Sequence, residues 1–267
     1  MGFFFLGVLK RVVLRPMPAH RAELRTQADL VRQNLGLGKT MPLELPATRA
    51  ITRRMPTIRL HRGDLPDISR YTGASSRAVA IDTETMGLDL DRDRLCVVQL
   101  SPGDGSADVV QIPPHAKDTP NAAPNLRQLL ADKGLLKIFH FARFDLGMLC
   151  KTFGVMPEPV FCTKIASRLT RTYTDKHGLK DLVREVLGQD LSKQQQLSDW
   201  GAAELTEAQV SYAAADVLYL HALKDKLEAM LAREGREQLA TACFHFLPDR
   251  VRLDLAGFAA DDIFAHS

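Results

Sequence analysis

Apolar and polar positions along this chain repeat with two different periods. Ala78-Val79-Ala80-Ile81 is a continuous apolar run, and similar short runs recur downstream. They predict strands near 78–83, 94–100, 107–112 and 136–140, with a short one near 159–162. Leu95 to Leu100 and Ala107 to Ile112 flank Pro102-Gly103-Asp104-Gly105, a turn signal that predicts an antiparallel hairpin. Apolar residues at helical spacing predict helices near 124–132, 143–153, 163–171, 179–187, 206–233 and 236–245. Pro124 suits a first helical turn, and Gly134 and Gly188 suit C-terminal stops. Thr206-Glu207-Ala208-Gln209 is a capping box, with Thr206 as N-cap and Gln209 at the third helical position. A hairpin followed by alternating strands and helices predicts an α/β fold, a mixed sheet of about five strands flanked by helices.

Three of these elements carry acidic residues where acids are costly. Asp82 and Glu84 follow a buried run on one strand, so alternation puts them on one face, with Thr83 opposite. Asp145 falls in the first turn of the helix after Leu136-Lys137-Ile138-Phe139-His140, where the helix dipole favours a negative charge. Tyr212 and Asp216 are four apart on one face of the capped helix. Each motif alone also fits an ordinary surface turn, a dipole-stabilising Asp or a half-buried Tyr. If all four carboxylates converge, they repel one another unless cations sit between them, and hard divalent cations prefer oxygen ligands. A pair of such ions about 4 Å apart is a common device for cutting phosphodiesters.

The order and spacing of these residues resemble the DEDD superfamily of 3′→5′ exonucleases, in the tyrosine-bearing branch that includes RNase D. Asp82, Glu84, Asp145 and Asp216 match its four acidic positions and Tyr212 its tyrosine, within roughly residues 57–267. The chain is closer still to the nano-RNase C (NrnC) enzymes. It resembles them at Ile58 to Pro66, Asp82 to Leu88, Ile138 to Asp145, Phe161 to Arg168, Leu191 to Gln196 and Asp262 to Ser267.

The resemblance implies a ribonuclease H-like core, two Mg²⁺ or Mn²⁺ ions, dinucleotides and other very short RNA as substrates, DNA as a further substrate, and a homo-octamer. By the same analogy Asp82, Glu84 and Asp216 hold the first metal, Asp82 bridges to the second, Asp145 completes the set and Tyr212 aims the attacking water. Thr85 and Met86 are candidates to cradle the 3′-terminal nucleotide. Leu88 is a candidate wedge between two bases, or a turn-packing residue. His140 and Phe144 are candidates for base or phosphate contacts, with core packing as the alternative for Phe144. Lys193, Gln194 and Gln195 are candidates for a 5′ phosphate, or form a solvated loop. Other classes to weigh are RNase D-type trimming of longer RNA, a DNA exonuclease, and a catalytically dead nucleic-acid-binding scaffold. Retention of all four carboxylates argues against the scaffold.

Composition narrows the picture in two places. Residues 1–55 hold ten basic and three acidic side chains, whereas the remainder holds 25 basic against 29 acidic. The overall +3 therefore comes from the N-terminal segment, and the body is not built to grip a long polyanion. Cys96, Cys150, Cys162 and Cys243 have no CxxC spacing. They are expected as reduced thiols of a cytoplasmic protein rather than zinc ligands or disulfides. The expected division is a 1–55 basic extension and a 56–267 exonuclease domain. For the extension, a start codon assigned too far upstream, with Met55 or a neighbour as first residue, competes with a disordered basic arm and with an address signal. A weak amphipathic helix is expected around Ala22 to Leu35. Phe3 to Leu9 is too short to span a bilayer, and no membrane association is expected.

Overall fold

A computed structural model of the 267-residue chain describes residues 56–73, 77–119, 121–192 and 194–266. The expectations for residues 1–55 lie outside the described residues. Six strands form one sheet: β1 (Thr57–Arg62), β2 (Ala78–Thr85), β3 (Leu95–Ser101), β4 (Ser106–Gln111), β5 (Leu136–Phe139) and β6 (Val160–Cys162). Their order is β1-β4-β3-β2-β5-β6. β3 runs antiparallel to β2 and β4, while β2–β5, β5–β6 and β1–β4 are parallel. The five expected strands form the block from β4 to β6, and the hairpin falls where Pro102 to Gly105 places it.

The sixth strand, β1, is an addition to the expected sheet. It alternates apolar Ile58 and Leu60 with Arg59 and His61, a pattern too short and too charged to stand out. What fixes it is tertiary: Asp108, buried in β4, accepts from Arg59 Nε at 2.7 Å, Arg70 Nη1 at 2.8 Å and the Tyr71 hydroxyl at 2.6 Å, and lies 2.9 Å from His61 Nε2. A buried carboxylate needs such partners, and they tie β1 and the short helix α1 (Ser69–Thr72) to the sheet edge.

Seven longer helices follow: α2 (Pro124–Ala131), α3 (Ala142–Phe153), α4 (Thr163–Thr170), α5 (Leu179–Leu187), α6 (Glu207–Leu218), α7 (Leu220–Arg233) and α8 (Glu237–Leu253). Pro124 occupies the first turn of α2, and Gly188 closes α5 with a left-handed φ of 65°. Gly134 is not a stop: Asp132, in extended conformation, ends α2, and its carboxylate accepts from Gly134 N–H at 2.8 Å. The helix expected over 206–233 breaks at Tyr219 (φ −102°, ψ −9°), without proline or glycine. α6 lies along β1 to β4, whereas α7 contacts β2 and β5 and packs on α4 and α5. The break lets the two helices cover different parts of the twisted sheet. α8 runs eight residues past its expected end at 245 and contains Pro248. Phe244, Leu247 and Val251 are buried on one face of α8, which packs against α3 and β6, and their burial outweighs the roughly 3 kcal/mol cost of an interior proline.

Candidate active site

The carboxylates gather at the C-terminal end of β2. Val79, Ala80 and Ile81 are fully buried, which fixes the register of the strand and hence the directions in which Asp82 and Glu84 point. One ligand atom from each of Asp82, Glu84 and Asp216 can be chosen so that all lie within 4.8 Å of one another. A register shift between Glu84 and Thr85 bends the strand as it leaves the site. Asp216 comes from α6, whose start is set by the capping box. Gln209 N–H donates to Thr206 Oγ1 at 3.2 Å, and Thr206 N–H donates to Gln209 Oε1 at 2.9 Å. Tyr212 lies one turn before Asp216 on the same helix, near enough that each influences the other's titration. The Tyr212 ring packs on buried Trp200, with centroids 6.1 Å apart.

Asp145 enters from the other side of the sheet. Thr83 is out of phase with Asp82 and Glu84 and faces α3, where its hydroxyl donates to Asp145 Oδ1 at 2.6 Å. Alternation places Thr83 on the opposite face, but its part in holding Asp145 is not among the sequence expectations. The available signal is the parity itself, since an opposite-face hydroxyl meets whatever helix covers that face.

The electrostatics are those of an acid cluster without a protein counter-charge. Among the described residues none of the four carboxylates forms an ion pair with a basic side chain. Burial, followed by repulsion from Asp145, Asp216 and Glu84, lifts Asp82 well above the usual carboxylate range. Burial, then Asp216 and Asp145, pushes Glu84 up to about 9. Burial raises Asp145 to about 7 against the opposing bond from Thr83, and raises Asp216 to about 7 against the opposing influence of nearby Tyr212. Burial and the neighbouring carboxylates lift Tyr212 far above the ordinary phenol. An all-oxygen donor set of like charges, with Asp145 buried, the other three partly buried and none paired with a base, fits hard divalent cations such as Mg²⁺ or Mn²⁺.

The candidate substrate residues divide. Leu88, 84% exposed, lines a cavity of about 640 Å³ with Phe141, Arg143 and Phe144. Phe144 also packs on the core. The Thr85 hydroxyl donates to the Gly87 carbonyl and Met86 N–H to the Arg94 carbonyl, so both residues shape the loop that carries Leu88. His140 is turned into the protein: Nδ1 lies 2.9 Å from Thr163 Oγ1, and burial, followed by the nearby Lys164, drives its pKa down to about 3. That leaves a neutral, positioned imidazole. Gln195 accepts from the Ser198 hydroxyl at 2.5 Å, and Gln194 N–H donates to Ser192 Oγ at 3.2 Å, both within their own loop. Lys193 lies outside the described residues. Phe141 is a lining residue that the sequence expectations do not include. Its left-handed backbone (φ 69°) turns β5 into α3 and presents a half-exposed ring to the cavity, with Lys164 Nζ 4.0 Å from the ring centre.

Comparison with known proteins agrees with this geometry. A family model described as 3′-5′ exonuclease matches residues 65–232. Ribonuclease D from Granulibacter bethesdensis is 37% identical over 158 residues, which make up 59% of this chain and 38% of that protein. The chain thus spans about two fifths of that relative's length. The structure of Brucella melitensis NrnC with bound Mg²⁺ is 59% identical, with a TM-score of 0.74 over 79% of this chain and 100% of that one. NrnC bound to pGG gives the same identity, score and coverage. The chain belongs to the 3′-5′ exonuclease family, among its RNase D-like members and near NrnC.

Proposed function

We propose that the protein is a metal-dependent 3′→5′ exoribonuclease that degrades dinucleotides and other very short RNA to nucleoside 5′-monophosphates. The observation that carries this reading is the convergence of Asp82, Glu84 and Asp216 from two elements onto one point, with Asp145 and Tyr212 beside it. The neighbours with bound Mg²⁺ and with pGG support the same chemistry and a short substrate.

In this reading Asp82, Glu84 and Asp216 hold one cation, and Asp82 with Asp145 holds a second. Two such cations, when bound, supply hydroxide at neutral pH and stabilise the departing 3′ oxygen. The protein's own groups do the positioning. Thr83 fixes Asp145. Burial and the neighbouring carboxylates favour the protonated hydroxyl of Tyr212 in the metal-free protein, so in this reading it orients the attacking water by hydrogen bonding rather than acting as a base. The cavity walled by Leu88, Phe141 and Phe144 offers apolar and aromatic faces to unstacked bases, which suits single-stranded substrates of any sequence. The slightly acidic body favours a substrate with few phosphates. Homo-oligomer formation, as an octamer by family resemblance, is supported by Phe246, Phe258, Ile263 and Phe264, all exposed in the C-terminal segment.

The test is a time course with 5′-labelled RNAs of two to seven nucleotides, in Mg²⁺ and in EDTA, for wild type and Asp82→Ala. Dinucleotide consumed far faster than heptamer, only with metal and only by wild type, is the expected result. Equal or faster loss of the longer RNAs indicates a trimming exonuclease of the ribonuclease D kind, and metal-independent cleavage overturns the site assignment.

A further inference from the structure

Gln99 lies on β3 directly across from Asp82 in the β2–β3 register. It is fully buried, with no accessible surface at all. Its amide Nε2–H donates to Asp82 Oδ2 at 3.4 Å, a long bond of the kind that tightens when a catalytic complex forms. Its amide oxygen, Oε1, is also buried and has no hydrogen-bond partner among the described residues. An orphaned buried carbonyl costs roughly 1–3 kcal/mol. A β-branched or aliphatic residue would suit this place far better, because its strand neighbours Val97, Val98 and Leu100 are all fully buried and apolar. A buried amide retained at a net cost, pointing its donor at a candidate metal ligand, has the marks of a group kept for the site rather than for the core.

The geometry points to Gln99 as a positioning residue for the cation site: its amide donor fixes the orientation of the Asp82 carboxylate and thereby sets how tightly the site binds its cations. The inference rests on the exonuclease reading above. The donor matters because Asp82 is the one carboxylate that reading assigns to both cations. An N–H bond to one of its oxygens holds the carboxylate plane, leaving the remaining lone pairs aimed outward. Among the described residues Asp82 has no other side-chain donor, whereas Asp145 has Thr83. Gln99 thus does for Asp82 what Thr83 does for Asp145: each of these two carboxylates is held by one neutral donor. Neutral donors orient without neutralising, which keeps the charge available for the cations.

The experiment is Gln99→Met, which preserves length and removes both polar atoms, compared with wild type in three measurements. These are the Mg²⁺ concentration for half-maximal cleavage of an RNA dinucleotide, the KM for that dinucleotide, and the melting temperature with EDTA and with Mg²⁺. The expected result is a rise of about 10-fold or more in the half-maximal Mg²⁺ concentration, the range seen for outer partners of metal ligands. KM changes by less than about threefold, since Gln99 is fully buried and presents no surface of its own. The EDTA melting temperature stays level or rises, because the orphaned carbonyl is gone, while the upward shift produced by Mg²⁺ shrinks. If Gln99→Met does not fold, Gln99→Glu tests the same point in the same volume, and it too must weaken the Mg²⁺ response or the inference falls. An unchanged Mg²⁺ requirement, or an activity loss matched by a lower EDTA melting temperature, reduces Gln99 to a core residue. Wild-type protein that neither cleaves nor gains stability with Mg²⁺ overturns the exonuclease reading, and Gln99's role with it.

Discussion

At Tyr212 two influences act in the same direction. Burial and the neighbouring Asp216, Glu84 and Asp82 all disfavour a phenolate, so in the metal-free protein the hydroxyl favours its protonated form. A residue in that state donates a hydrogen bond and cannot abstract a proton from water. Tyr212→Phe should therefore lower kcat by about 10²-fold or more with KM little changed, and without a new limb in the pH–rate profile. A fall that can be recovered by raising pH would mean that the tyrosine acts as a base. Side-chain chemistry also explains which residues can be read in advance. Asp82, Glu84, Asp145, Tyr212 and Asp216 stand out by their joint order and spacing, although each motif alone also fits an ordinary surface residue. Thr83 and Gln99 are silent, since a threonine or glutamine in a strand gains meaning only from the side chain across from it.

Among the elements, α6 carries two of the five catalytic candidates on one turn, and its first turn is fixed by local sequence. Gln209 closes the capping box and also donates from Nε2 to the Asp199 carbonyl at 3.0 Å, which couples the start of α6 to the loop holding Trp200. Thr206→Ala should cost about 1 kcal/mol in urea unfolding. It should also lower Mg²⁺-dependent cleavage, because the helix end that frays is the one that leads to Tyr212. A loss of stability with fully preserved cleavage would show that packing on the sheet alone holds α6 in place. The break at Tyr219 and the continuation of α8 through Pro248 follow from the opposite cause. There tertiary packing overrides local propensity, and no sequence signal marks either.

Taken over the whole molecule, the acid cluster links metal binding to stability. In metal-free protein the carboxyls of Asp82, Glu84, Asp145 and Asp216 sit above their unfolded values, so between about pH 5 and 9 the folded state holds more protons than the unfolded one. Stability then falls as pH rises through the folded values near 7 and 9. Melting in EDTA should accordingly drop from about pH 6 to about pH 9, and the stabilisation given by Mg²⁺ should grow over the same range, since cations require the ionised form. An EDTA melting curve that is flat or rises with pH would contradict the uncompensated cluster. At this scale, too, no helix among the described residues is long and apolar enough to cross a membrane, and all four cysteines are free thiols.

The sequence by itself determined the strands and helices whose signals are local: the apolar run of β2, the hairpin at Pro102 to Gly105, the cap at Thr206 and the stop at Gly188. It also determined the family and singled out the five candidate catalytic residues, because side chains at fixed spacing survive without knowledge of contacts. Only the tertiary structure decided that β1 joins the sheet, since its anchor Asp108 lies 49 residues beyond Arg59. The same holds for the faces: Asp145 reaches the cluster from beneath the sheet through Thr83, and His140 turns inward to Thr163. Each of these depends on partners distant in sequence, and a buried polar group takes its meaning from the partner that satisfies it.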